Sequence, residues 1–203
     1  MGLNKETGRK NFLTIGNGRL VLQHQNPIEG VTTERVNKNG KTVHEEMFTS
    51  ITAMITNIQS KDTPFGRVWE IELTDAGESY LLSFNYSSRY TNNFFRALPN
   101  IDLQEPVKIA PWSMVDKKDS SKTVIGLSIS QNGNKVPYKW DKDNPGELPE
   151  MEQVKRKGKL EWDDTKQLDF FEAMVKNEIL PQINAGKYDV VAETVNANDE
   201  APF

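Results

Sequence analysis

Arg67-Val-Trp-Glu-Ile-Glu-Leu-Thr74, Asp75-Ala-Gly-Glu78 and Ser79-Tyr-Leu-Leu-Ser-Phe-Asn-Tyr86 decide how this chain folds. In the first piece Trp69, Ile71 and Leu73 alternate with Glu70 and Glu72, the period of a strand with one apolar face. Asp75-Ala-Gly-Glu78 reads as a tight turn. Glu78–Ser87 reads as the returning strand, with Tyr80, Leu82, Phe84 and Tyr86 on one face. Downstream, Ser88–Leu98 reads as a helix capped by Ser87 or Ser88 and closed by Pro99, with Phe94, Phe95 and Leu98 on its apolar side. Pro106–Val115 and Lys122–Ser130 return to strand, the latter with Ile125, Leu127 and Ile129 together.

Upstream, Met47–Gln59 reads as a long Thr- and Ile-rich strand whose imperfect alternation suits a strand bent to serve two sides of a barrel. Three strands, a helix and two strands is the chain order of a five-stranded OB-fold barrel with its helix between strands 3 and 4. The sequence thus predicts a mainly β protein whose OB-fold spans residues 47–140. Its last strand is expected at Lys135–Trp140, turned in by Asn132-Gly133. In that fold the loops Ser60–Gly66 and Asp116–Ser121 border a binding groove.

Residues 1–46 read as an N-terminal β extension packed on the barrel. It holds a hairpin across Phe12–Gln23 turning at Gly16-Asn-Gly18, then Thr32–Val36 and Lys41–Glu45 flanking Asn37-Lys-Asn-Gly40. Residues 141–162, rich in Pro, Gly, Asp and Asn at the start and holding the basic run Lys155-Arg-Lys-Gly-Lys159, read as a linker. Residues 163–183 read as an amphipathic helix, Asp163–Leu180 stopped by Pro181, with Leu168, Phe171, Val175 and Ile179 in one stripe. Residues 184–203 read as a flexible acidic tail.

Charge is unevenly placed. Residues 1–140 carry 17 Lys+Arg against 14 Asp+Glu, and residues 141–203 carry 8 against 15. A mildly basic body with an acidic end is meaningful for nucleic-acid proteins even where the whole chain is acidic. There is no cysteine, so no disulfide framework or thiolate metal site, and only His24 and His44 offer imidazole. No apolar run spans a bilayer and Met1–Asn11 lacks a signal peptide's hydrophobic region, so the expected place is the cytoplasm, the host's if the chain is phage-encoded. We find no catalytic triad, metal quartet or carboxylate pair, no phosphate loop and no nucleophile elbow. The acids Glu161, Asp163 and Asp164 before a helix read as capping residues. No enzyme activity and no cofactor are expected.

Holding a single strand without sequence preference takes flat π surfaces for bases and cations for phosphates. The chosen aromatic candidates are Trp112, Tyr138, Trp140, Tyr80 and Tyr86. The chosen cations are Arg67, Lys108, Lys117, Lys118, Lys135 and Lys139. Aromatics alternating on a strand are also what a barrel core needs, so Tyr80 and Tyr86 stand between core and platform. Lys117-Lys118 is flanked by Asp116 and Asp119, which also suits a plain solvated turn.

The chain ends Asp199-Glu-Ala-Pro-Phe203: a ring, a carboxylate and a stiffening proline behind two acids. With this tip, the chain resembles single-stranded DNA-binding proteins, whose bacterial members close an acidic segment with Asp-x-x-Pro-Phe or similar. Asp199, Glu200, Pro202 and Phe203 match in place and order. The resemblance implies an OB-fold body binding single-stranded DNA in replication, recombination or repair, and a tip recruiting replication or repair proteins. The β structure before the barrel and the short tail behind a helix make it look like a divergent, phage-encoded member, with homo-oligomerisation open. No stacking residue carries over, because the barrels do not align position by position. The alternative is a non-enzymatic viral structural or assembly protein on an OB-fold scaffold, docking through Asp163–Leu180.

Overall fold

The computed structural model describes residues 10–37, 39–156 and 158–186. They are mainly β, with ten strands in one sheet, a separate two-stranded hairpin and two principal helices. The N-terminal strands are β1 (Asn11–Gly16), β2 (Arg19–His24), β3 (Thr33–Val36) and β4 (Thr42–Phe48). The middle of the chain supplies β5 (Ile51–Thr63), β6 (Gly66–Asp75) and β7 (Glu78–Asn85), then helix α1 (Arg89–Ala97), then β8 (Val107–Val115) and β9 (Thr123–Gln131). β10 (Asn134–Lys135), the hairpin β11 (Glu152–Arg156) and β12 (Lys159–Asp163), and helix α2 (Thr165–Met174) follow. The sheet order is β10-β9-β8-β5-β6-β7-β1-β2-β4-β3.

The β6–β7 hairpin is built as its alternation requires. Trp69, Ile71, Leu73, Leu82 and Phe84 are all buried on the inner face. The turn between them puts both Ala76 and Gly77 at positive φ, 47° and 85°, the two-residue geometry whose twist matches the strands. Asn17-Gly18 and Asn132-Gly133 make the same kind of turn for β1–β2 and β9–β10. β5 serves two neighbours. Its first residues pair with β8, the rest pair with β6, and the register slips between Ile55 and Asn57, so a bulge bends the strand.

The sheet does not close into a five-stranded barrel. In such a barrel the free edge of β7 would take the fifth strand, here β9. Instead β1 occupies that edge in parallel register, Asn11 opposite Tyr80 and Leu13 opposite Leu82. β2, β4 and β3 continue outward from it. Local periodicity cannot reveal this, because the pairing joins strands almost seventy residues apart in sequence; what holds it is burial of Leu13 and Leu20 in the core.

Other boundaries also differ from expectation. Met47 belongs to β4, opposite Val21, and the expected strand Met47–Gln59 is broken between Phe48 and Ile51. The expected strand Lys135–Trp140 shrinks to Asn134–Lys135, since Pro137 has no N–H for a ladder. Residues 141–162 contain most of the β11–β12 hairpin. Pro181 does not stop the last helix: helical backbone continues through residues 180–186. A proline inside a helix removes one bond and crowds the preceding turn, and the wider π turn at Val175–Ile179, just before it, relieves that crowding.

α1 is capped by Ser88, whose Oγ accepts from the Thr91 N–H at 3.1 Å. Its Phe94 and Phe95 are fully buried, and Asn93 Oδ1 accepts from the Leu127 N–H, pinning the helix to β9. The stripe of the last helix (Leu168, Phe171, Met174, Val175, Ile179 and Ile183) joins the same core. A run of rings ties the layers: Trp69 to Phe95 at 4.3 Å, Phe95 to Phe171 at 5.2 Å, Phe170 to Trp140 at 5.2 Å. Among the described residues no helix is long and apolar enough to cross a membrane.

Candidate nucleic-acid interface

A groove of about 400 Å³ runs beside β1, β7 and the start of α1. Strand alternation places its first wall: Leu13 of β1 points into the core, so Phe12 and Thr14 point out, and Phe12 is 48% exposed. The second wall is the β5–β6 connection. There Thr63 Oγ1 donates to the Gly66 carbonyl at 2.6 Å and accepts from the Phe65 N–H at 3.2 Å. This small knot holds out a Phe65 ring that is 96% exposed. Tyr90, in the first turn of α1, and Ile125 of β9 complete the lining. Tyr90 is half-buried, and burial pushes its hydroxyl above the usual tyrosine range, offset in part by the Gly18 N–H. One exposed ring is ordinary on a protein surface; two of them at one groove, Phe12 and Phe65, make this the candidate surface.

Polar groups at this groove are already organised. Glu70, buried on its floor, accepts from Gln59 Nε2 at 2.9 Å and lies 3.3 Å from Lys61 Nζ. Lys10 Nζ reaches Glu72 at 2.8 Å on the same outer face. Phe12 also lines a second hollow of about 480 Å³ with Lys10, Gln23, Gln25 and Asn26, so its ring forms the ridge between two adjoining depressions.

Five of the residues chosen from sequence lie along the β8–β9–β10 ribbon, Lys108 and Lys135 near one end, Trp112 between, and Lys117 and Lys118 at the far turn, about 30 Å from Lys108. Residues directly opposite on antiparallel strands point to one face. Thr52, Lys108, Ser130 and Lys135 therefore form a row across four strands, with the two lysines two strand spacings, about 10 Å, apart. Trp112 lies on the same face of β8 as Lys108 and is half-buried against Gly126, where a Cβ would collide with the indole. Trp112 also borders a hollow of about 350 Å³ with Arg19. Lys117 and Lys118 stand exposed at the turn that ends this ribbon. Asp116 Oδ1 accepts from the Lys118 N–H there, and Asp119 engages Ser121 and Lys122.

The other choices lie elsewhere. Trp140 is only 2% exposed, packed on Phe170 and Phe171, so it cannot stack on a base from this position. Lys139 covers its ring at 5.0 Å and reaches Glu147 at 3.4 Å. Arg67 and Tyr86 engage one another: the guanidinium sits 4.5 Å over the ring, 2.6 Å from Glu172 Oε1 and 3.0 Å from Ser60 Oγ. Tyr86 stacks on Trp69 at 5.5 Å, and burial, with Glu172 close by, pushes its hydroxyl far above the ordinary range. This pair fastens the last helix to β6 and β7. Tyr80 is half-buried at the opposite end of β7, its hydroxyl donating to Glu78. Tyr138 is half-buried beside Arg96 and Arg89, its hydroxyl raised by burial. Asp199, Glu200, Pro202 and Phe203 lie outside the described residues.

Sequence reading missed Phe12, Phe65, Tyr90 and Trp162 as surface rings. For Phe65 a signal existed: an aromatic between Pro64 and Gly66 in a loop has no strand face to bury on. Among the described residues no group of three or more His, Asp or Glu could hold a metal ion. Compared with family models, curated proteins and solved structures, the chain matches none.

Proposed function

We propose that this chain binds single-stranded DNA without sequence preference, as a member of the single-stranded DNA-binding proteins serving replication, recombination or repair. The observation that carries this reading is the groove between Phe12, Phe65 and Tyr90, where the first two rings are exposed and the Thr63 hydroxyl braces the turn that holds Phe65. Each base stacked on such a ring contributes on the order of 1–3 kcal/mol. Lys117, Lys118, Lys108 and Lys135 on the β8–β9–β10 ribbon supply phosphate partners, while Lys61 and Lys10 offset the charge of Glu70 and Glu72 beside the groove. In the finer fold reading, β5–β9 with α1 are an OB-fold unit whose closing seam is occupied by β1. In favour stand the bent β5 shared by β6 and β8, and the helix before β8. The groove then lies where the first loop of that unit borders its ligand.

The tail tip Asp199–Phe203 recruits replication or repair proteins in this reading. The assembly alternative relied on the apolar stripe of the last helix, and that stripe is buried within this chain.

The test is fluorescence anisotropy of labelled oligo-dT against the full chain. Binding in low salt that falls steeply as salt rises is expected, since released counterions drive phosphate contacts. No binding in low salt would sink the proposal. Deleting Asp199–Phe203 is expected to leave DNA affinity equal or slightly higher, because an acidic competitor has gone, while removing capture of replication proteins.

A further inference from the structure

The β11–β12 hairpin stands apart from the ten-stranded sheet and carries an unexpectedly bare face. Leu160 and Trp162 alternate along β12 on one side, 70% and 63% exposed, opposite Lys155 and Gln153 of β11. The tryptophan also forms one wall of a cleft of about 460 Å³, whose other lining includes Arg96, Pro145, Pro149 and Met151.

This cleft is built rather than accidental. Gln167, almost fully buried, donates to the Pro149 carbonyl at 2.7 Å and accepts from Asn92 Nδ2 at 3.2 Å, locking the proline wall to both helices. Arg96 is half-buried at the end of α1, its Nε without a hydrogen-bond partner among the described residues. Burial lowers its pKa below the ordinary arginine value, yet a guanidinium keeps its charge at any physiological pH. Asp141 and Glu150 also line the cleft. Asp141 Oδ1 is engaged by the N–H groups of Asp143 and Asn144.

A half-buried guanidinium in the lining, an indole on the wall and exposed lysines on the hairpin suit one repeating chemistry, a flat base joined to a phosphate, with Asp141 and Glu150 the opposing charges at the same cleft. The position fits as well. Tyr90 lines the groove described above and Arg96 lines this cleft, six residues apart on α1, about 9 Å along the helix axis and about 120° around it, so a strand joining the two winds round the helix. Exposed Arg89 stands near the start of the same helix. We propose that the hairpin face and the Arg96 cleft form a second subsite for an unpaired strand, reached by a strand that leaves the groove along α1. A base stacks on Trp162, and its phosphates meet Arg96 and Lys155. This inference rests on the single-strand reading of the groove.

The full chain is titrated with labelled oligo-dT of two lengths, one short enough to fill the groove alone and one long enough to pass along α1. Trp162→Ala is the principal variant, since an exposed side chain can be removed without unfolding the protein; Lys155→Ala and Trp162→Phe accompany it, with thermal melts for each. Trp162→Ala is expected to weaken the long oligonucleotide about 5- to 150-fold and leave the short one within about twofold. Trp162→Phe should restore most of the loss. Bromodeoxyuridine in the long oligonucleotide should crosslink at Trp162. If the unaltered chain binds oligo-dT but Trp162→Ala binds the long form equally well, the second subsite is wrong and the groove stands. A change in sedimentation coefficient without a change in oligonucleotide affinity would make the hairpin a contact between copies and equally overturn it. If the unaltered chain binds neither length, the parent reading fails and takes this one with it.

Discussion

The aromatic stack under the last helix and the open rings of the groove use the same residue types for opposite ends. In the first, Trp69, Phe95, Phe171 and Trp140 lie edge or face to one another and are sealed. In the second, Phe12 and Phe65 keep much of their surface in water. The backbone beneath them makes the difference. Rings on the inner face of a regular strand or helix inherit a partner from the opposite layer. A ring on the outer face of β1, or on the Thr63–Gly66 turn, has no layer above it. The first group should therefore govern stability and the second ligand affinity.

The largest way to break this division is Phe171→Ala. Losing a fully buried ring should cost about 3–5 kcal/mol, lowering the melting temperature by roughly 6–20 °C in a chain of this size, as read by circular dichroism. If Phe171→Ala melts like the unaltered protein, the helix is not part of the core. Phe65→Ala should do the reverse. Stability should stay within about 0.5 kcal/mol, while oligo-dT affinity falls by about 1–3 kcal/mol. An unchanged affinity would remove the groove from consideration.

A third comparison lies at the outer β layer, where buried Glu45 accepts from Arg35 Nε at 3.0 Å and holds the carboxyl below its ordinary value of 4.5. A carboxyl with a folded pKa below its unfolded one contributes stability that is complete above the unfolded value. That contribution is lost as pH falls through the folded value. The unaltered protein should thus lose stability in denaturant melts as pH drops below about 4.5, and Arg35→Gln should flatten that part of the profile. Equal slopes for both proteins would argue against the pair. The smallest effect is reserved for the turn of the β8–β9 ribbon. Lys117→Ala with Lys118→Ala should leave the melt untouched and lower the salt dependence of oligo-dT binding by about 0.7 per lysine in logarithmic slope. An unchanged slope would place both lysines outside the strand's path.

The two-residue period of Trp69–Leu73 and Leu82–Phe84, the Asn-Gly turns at Gly18 and Gly133, the cap at Ser88 and the stripe Leu168–Ile179 are local statements. Each was legible because its cause lies within a few residues. Which aromatic faces water was less legible. Trp140 and Trp162 both sit near lysines in sequence, yet one is sealed by Phe170 and the other stands on a free hairpin. Nothing adjacent to either residue reports what packs above it.

Read alone, the 203 residues determined a mainly β chain, its hairpin turns, its capped helix and the acidic end beyond it, since propensity, turn chemistry and charge act over short stretches. Tertiary structure decided that β1 would take the edge of β7 and leave the sheet open, that the last helix would complete the core, and that Phe12, Phe65 and Tyr90 would meet around one groove. Those outcomes depend on surfaces distant in sequence competing for the same partner. The competition is settled by the total apolar area that one arrangement removes from water, a quantity no short window contains.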